Sequence, residues 1–196
     1  MLDNSIRISL KPESVSWDAI KNCLLESHSS NREKGVVMSH YQWSPEEIKE
    51  YIGRDGVMLV AMDGEKLVGT AAISIKKSNS WYSDGRQYAY LCFAGILPEY
   101  IGKGIYKELT EKRQEIVKEL GLGMMLFDTH ESNRHVQEIA VKNGFRYVHF
   151  FQSGNKDHCN VVLAKWLDGC PFSNFYCSMR FFSSKFKTKL RIRLKK

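Results

Sequence analysis

The segment Gly95-Ile96-Leu97-Pro98-Glu99-Tyr100-Ile101-Gly102-Lys103-Gly104-Ile105-Tyr106 has the residue types and spacing of an anion site. A buried apolar run ends at Leu97-Pro98, and two glycines then precede a stretch of helical periodicity. Glycine lets the backbone turn tightly and approach a ligand, because no Cβ stands in the way. The first amides of a helix lack internal acceptors, and the helix dipole adds positive potential there. Together these features suit a pyrophosphate, with Lys103 as an added point charge. The other reading is a structural strand-to-helix turn whose glycines serve packing. A Walker loop is excluded, since GxxxxGK followed by Ser or Thr is absent. The dinucleotide fingerprint would need a third glycine in an early strand–helix–strand unit.

Other reactive side chains are sparse. His130 has the side chain whose ordinary pKa, near 6.5, suits proton transfer. Cys92 falls within a central strand, where a buried inert thiol is expected rather than a nucleophile. His158 and Cys159 are neighbours on a strand and point to opposite faces, which opposes a Cys–His pair. Tyr88, Tyr90 and Tyr147 are candidate acids or core residues. No Ser/His/Asp grouping has a local signature. The five cysteines (Cys23, Cys92, Cys159, Cys170, Cys177) are odd in number and scattered, without CxxC or Cys/His ligand spacing. Reduced thiols, a cytoplasmic compartment and no metal are the expectation.

The elements that must position these groups follow from periodicity. Residues 5–10 alternate as a strand, and Trp17, Ile20 and Leu24 line one face of a helix over 16–28. Residues 29–43 are polar and irregular. Ser44-Pro45-Glu46-Glu47 then offers a capping box with proline at the first helical position. Val57–Met62 and Leu67–Ile75 form a hairpin through Asp63-Gly64. Residues 87–97 are a buried strand, 103–120 a helix, 124–129 a strand and 133–143 a helix stopped by Gly144. Strands over 145–152 and 161–167 close the sheet. This order predicts an α/β (α+β) domain over residues 1–168. Its sheet has about seven strands, mixed but mostly antiparallel, with helices on both faces.

The 196 residues carry a net charge of +7, which is unevenly placed. The stretch 171–196 holds eight basic residues and no acid, leaving 21 basic against 22 acidic residues elsewhere. The body is therefore near neutral, and the basicity belongs to an appendix at 169–196. There Phe172, Phe175, Tyr176, Met179, Phe182 and Phe186 gather on one helical stripe, with Pro171 suited to the first turn. Such a stripe either packs on the body or a second subunit, or lies on an anionic membrane as a peripheral contact. Nucleic acid ranks below both, because nothing in the body extends the positive patch. No run of 18 apolar residues and no signal-like N-terminus occurs, so neither a membrane span nor secretion is expected.

The glycine segment resembles the acyl-CoA motif of the GNAT superfamily of N-acyltransferases, Val-x-Pro-x-x-Arg/Gln-Gly-x-Gly-Ile/Val-Gly/Ala. Ile96 and Pro98 take the first two places, and Gly102-Lys103-Gly104-Ile105 match the core. Asn133, followed eleven residues later by Gly144-Phe145, resembles a second motif of the family. The resemblance covers residues 5–167 and implies acetyl-CoA as co-substrate, an amine acceptor, and acceptor binding by the loop before Ser44. The polar loop 29–43 and the surface-seeking tail suggest a small acceptor such as an amino sugar or a nucleotide-linked sugar. Ile96, Ile101, Gly102, Lys103, Gly104, Ile105, Tyr106 and Asn133 become the cofactor-binding positions.

The resemblance also implies two splayed strands, here those ending at Leu97 and Thr129, with a backbone N–H near Ile96 as oxyanion donor. Asp128 is then the favoured base and His130 the next candidate, while the alternative for Asp128 is capping of the following helix turn. Three residues depart from the pattern. Ile101 replaces Arg or Gln, Tyr106 replaces a small residue, and Ala140 stands where many members carry a tyrosine acid. They leave open a second reading, an acyl-CoA-binding sensor or scaffold without transfer.

Overall fold

A computed structural model of the chain describes residues 5–33, 41–153 and 158–194. The strands β1 (Ile6–Leu10), β2 (Val57–Asp63), β3 (Lys66–Lys77), β4 (Gln87–Ile96), β5 (Met124–His130), β6 (Arg146–Gln152) and β7 (Cys159–Trp166) make one sheet in the order β1-β2-β3-β4-β5-β7-β6. The helices are α1 (Trp17–Ser27), α2 (Ser29–Glu33), α3 (Pro45–Ile52), α4 (Ile105–Glu119), α5 (Arg134–Lys142) and α6 (Asn174–Leu194). The mixed, mostly antiparallel seven-stranded sheet is the one the sequence predicts. The chain falls into two compact units, residues 1–76 with 89–121 and residues 77–88 with 122–196.

In the first unit, alternation along β2 sends side chains to two cores. Leu59 and Ala61 join Ile105 and Leu109 of α4. Met58 and Val60 join Ile20 and Leu24 of α1 and Ile48 and Ile52 of α3. Helices therefore cover both faces. The start of α3 is built as its residues dictate: Ser44 Oγ accepts from the Glu47 amide at 3.1 Å, and Glu47 Oε2 accepts from the Ser44 amide at 2.6 Å. Gly64 takes φ 58° in the β2–β3 turn. One expectation needs correcting, because Ser29–Glu33 is helical where residues 29–43 read as irregular. The amides of Asn31 and Arg32 both find the His28 carbonyl, which carries the helical turn on past α1. Residues 34–40 of the expected acceptor loop lie outside the described residues.

In the second unit, β7 pairs antiparallel with both β5 and β6. The strand β6 ends the sheet order, and α6 lies against it. Phe181 of α6 meets the rings of Tyr147 and Phe150, with centroids 5.0 and 6.3 Å away. The Phe150 amide donates to Ser184 Oγ at 3.0 Å, and the Phe150 carbonyl accepts from Thr188 Oγ1 at 3.3 Å. The helix thus satisfies backbone groups of an edge strand that would otherwise be open to other chains. It begins at Asn174 rather than near Pro171, because the Ser173 hydroxyl takes the Tyr176 amide at 3.1 Å and acts as the N-cap. The aromatic stripe also divides. Phe172 and Tyr176 pack against Trp81, whereas Phe175, Met179, Phe182 and Phe186 are exposed. The packed face is Cys177 and Phe181 with Ser184 and Thr188.

Candidate active site

The glycine loop of the first unit is shaped by its backbone. The Leu97 amide donates to the Val68 carbonyl at 3.0 Å, so the chain is still tied to β3 as β4 ends. Amides alternate sides along a strand, so the Ile96 N–H points away from β3. A single 3₁₀ turn, Pro98–Tyr100, follows, closed by Tyr100 N–H to Leu97 O at 2.9 Å and Ile101 N–H to Pro98 O at 3.2 Å. Gly102 and Gly104 then adopt φ 88° and 83°. A Cβ on Gly102 would meet nothing within 4 Å, so this glycine answers a left-handed backbone and not crowding. Gly104 caps α4 in the left-handed conformation and offers no side-chain acceptor. The amides of Ile105, Tyr106 and Lys107 form the first turn and have no intrahelical partner.

The side chains around the loop are mostly turned to other tasks. Ile105 is buried in the core beneath, and Ile101 is 69% exposed. Lys103 Nζ sits 4.3 Å over the Tyr100 ring, while Tyr100 donates to Asp63 at 2.9 Å and Lys66 pairs with Glu99 at 2.8 Å. The Tyr100 hydrogen bond, then that of Ser5, holds the Asp63 carboxyl below its ordinary pKa. Tyr106, half-buried, interacts with Arg113 two turns along α4. Burial pushes the Arg113 guanidinium down, and the neighbouring Tyr106 and Cys92 push it back up. Arg113 also donates to Thr110 Oγ1 at 3.3 Å.

The end of β4 carries a kink absent from the sequence reading. Phe93 has φ 49°, a left-handed conformation rare for a bulky residue and one that costs about 1–3 kcal/mol. It is held in place by specific contacts. Thr70 Oγ1 donates to the Phe93 carbonyl at 2.9 Å, and the rings of Tyr51 and Trp43 lie 5.5 and 5.9 Å from that of Phe93. The next carbonyl, Ala94 O, is 3.1 Å from His28 Nε2. With Nε2 donating, His28 Nδ1 is the acceptor for Asn31 Nδ2 at 3.4 Å, which describes a neutral ring. Burial accordingly lowers the His28 pKa. Gly95 permits this approach, since a Cβ there would come within 2.2 Å of Ser27 Oγ.

In the second unit, Asp128 and His130 end β5 with different surroundings. Asn160 on β7 donates to Asp128 Oδ2 at 2.6 Å. Burial first, and then the Tyr88 and Asp128 charges, raise the Tyr82 hydroxyl, so Tyr82 lies within electrostatic reach of Asp128. His130 Nδ1 is 2.6 Å from Ser132 Oγ and accepts from the Ser132 amide at 3.3 Å. Its ring meets that of His158 at 5.5 Å, and burial followed by the His158 charge lowers its pKa. The acceptor nitrogen of a neutral His130 is therefore already occupied. The Asn133 side chain does not cap α5, as it donates to Thr129 Oγ1 at 3.2 Å. Gln137, 1% exposed, donates to the carbonyls of His130 and Glu131 and accepts from Tyr147. Ala140 is buried in α5.

Tyr88 is buried, and Tyr90 contacts the Tyr51 ring at 6.3 Å. Cys92 is half-buried and Cys159 buried. Among the described residues, no group of three or more His, Cys, Asp or Glu side chains is placed to hold a metal ion. Thr70, Phe93, His28, Arg113, Tyr82, Asn160 and Gln137 all escape the sequence reading. Only His28, a histidine where helix periodicity ends, left any local signal.

Residues 17–145 match the acetyltransferase (GNAT) family, and the chain belongs to that family. Solved structures agree with the fold. The ribosomal-protein-S18-alanine N-acetyltransferase of Escherichia coli superposes with a TM-score of 0.64 at 14% identity, over 83% of this chain and 94% of its own. A GNAT acetyltransferase from Staphylococcus aureus Mu50 gives 0.64 at 20% identity, over 83% and 99%. The PaiA N-acetyltransferase of Thermoplasma acidophilum, in complex with coenzyme A, gives 0.62 at 21% identity, over 82% and 98%. No curated protein matches the chain by sequence.

Proposed function

We propose that this enzyme transfers an acetyl group from acetyl-CoA to the primary amine of a small acceptor, by direct attack of the amine on the thioester. The observation that carries the reading is the start of α4, where Gly102 and Gly104 are left-handed and no side chain caps the first amides. Those amides would bind the diphosphate of coenzyme A through hydrogen bonds and the helix dipole. Lys103 contributes long-range charge only, because its ammonium rests on Tyr100. The Ile96 N–H is the oxyanion donor, and Ile101 contributes backbone alone. All five cysteines are reduced thiols, which fits a reducing, cytoplasmic setting.

Asp128 is the base in this reading. Its carboxylate is held by Asn160, and an ionised acid accepts the amine proton directly or through water. His130 is set aside, since its acceptor nitrogen is engaged by Ser132. Thiol release from acetyl-CoA, measured across a panel of small amines including amino sugars, tests the reading. Asp128→Asn is expected to lower kcat by about 100-fold with the KM for acetyl-CoA unchanged. Equal kcat in the variant removes Asp128 from the mechanism. The second reading, an acyl-CoA sensor, is favoured by one observation: the position of the usual tyrosine acid is a buried alanine, Ala140. Cofactor binding without thiol release on any amine would establish it.

A further inference from the structure

The helix α6 has two apolar faces. One packs on β6 through Cys177 and Phe181. The other consists of Phe175, Met179, Phe182, Phe186 and Leu190, spaced by four, three, four and four residues and each between 45% and 78% exposed. Side chains at these spacings share one stripe of a helix. Lys187 and Arg191 border the stripe on one side; on the other, Lys185 lies over the Phe150 ring and Lys189 pairs with Glu131 at 2.7 Å. Arg193 falls on the stripe near its end. Beside Phe182, a cleft of about 400 Å³ is lined by Arg134, Arg146 and Lys185, by Glu131, and by Val141 and Phe145. A large apolar face exposed on a folded chain marks an interaction surface.

We infer that the outward face of α6 docks on an anionic phospholipid bilayer, lying in the plane of the interface. The rings and aliphatic side chains enter the boundary between headgroups and acyl chains, and the flanking cations meet the phosphates. Among the described residues, no helix is long and apolar enough to cross a membrane, so the contact is peripheral. A second copy of the chain fits less well, because 171–196 holds eight cations and no acid. Apposing two such helices across a twofold axis brings like charges together. Nucleic acid has no use for the outward Met179 and Leu190.

Vesicle sedimentation with the full chain tests this, using phosphatidylcholine with and without phosphatidylserine. Binding to the anionic vesicles alone is expected, weakening as salt rises. Phe182→Ser with Phe186→Ser, both on the exposed face, should cut partitioning about tenfold while leaving the melting temperature and coenzyme A affinity unchanged. Lys187→Glu with Arg191→Glu should do the same. The inference is overturned if the chain stays in the supernatant, or if it binds both vesicles equally. It also fails if the ring replacements leave binding intact, which is the behaviour of a plain polycation that duplex DNA would compete off. Light scattering that shows a dimer dissociated by the ring replacements would make a second copy the occupant instead.

Discussion

Two helices in the same unit begin in opposite ways. At α3, Ser44 and Glu47 satisfy each other's amides, and the terminus is closed by its own side chains. At α4, a left-handed glycine stands in the capping place and supplies nothing. The helices α1 and α6 follow the α3 pattern, with Ser16 and Ser173 as caps. A helix start closed by its own side chain gains about 1 kcal/mol, and α5, like α4, goes without one. A terminus left open forgoes that stabilisation, and under the proposed function the amides of α4 receive the diphosphate instead. The difference is written in which residue sits before the first turn: Ser44 supplies a hydroxyl, Gly104 a left-handed backbone and no side chain.

Exchanging the two patterns is the most direct way to break the comparison. Gly104→Asp gives α4 a carboxylate cap that competes with a diphosphate, and φ 83° strains the new side chain. Coenzyme A affinity by calorimetry should fall about 100-fold, close to 3 kcal/mol. Unchanged affinity would remove the cradle assignment. Ser44→Ala should instead lower stability by about 1 kcal/mol, a fall in melting temperature of about 2–4 °C, with coenzyme A affinity intact. Lys103→Ala sharpens the picture of a backbone site. Because Lys103 lies on Tyr100, its loss should change affinity by no more than about threefold.

The smallest effect concerns His28 and shows only as a slope. Its folded pKa lies below the unfolded value, so the unfolded chain takes up the proton first. Its contribution is at full strength above the ordinary histidine range and falls as the pH drops through that value toward the lowered one. His28→Gln keeps an amide donor for the Ala94 carbonyl without a titrating group. Melting curves from pH 8 down to pH 5.5 should fall less steeply in this variant. An unchanged slope would mean that His28 does not report on the kink in β4.

What the sequence made legible is local. The α3 cap, the Asp63-Gly64 turn and the two glycines before α4 are each encoded within a few neighbouring residues, and each forms as its residues dictate. The kink at Phe93 is different. Phenylalanine does not choose φ 49°, and the conformation is imposed by Thr70, Tyr51 and Trp43, brought together only by the fold. Asn160 reaches Asp128 from across a strand pair, 32 residues away in the chain. In α6 the aromatic residues were the conspicuous pattern, yet the helix packs through Cys177, Phe181, Ser184 and Thr188. Periodicity reports a stripe but not which side of the helix meets the protein.

The two hydrogen bonds that tie Phe150 to Ser184 and Thr188 have a practical consequence for anyone who shortens this chain. A version ending before residue 174 would bare an amide and a carbonyl on the last ribbon of the sheet, ready to recruit a copy of itself. Such a fragment should precipitate or form ordered aggregates, however well the rest of the sheet is folded. The tail's part in biology is therefore to be read from substitutions on its outward side, since removal would change solubility before it changed anything else.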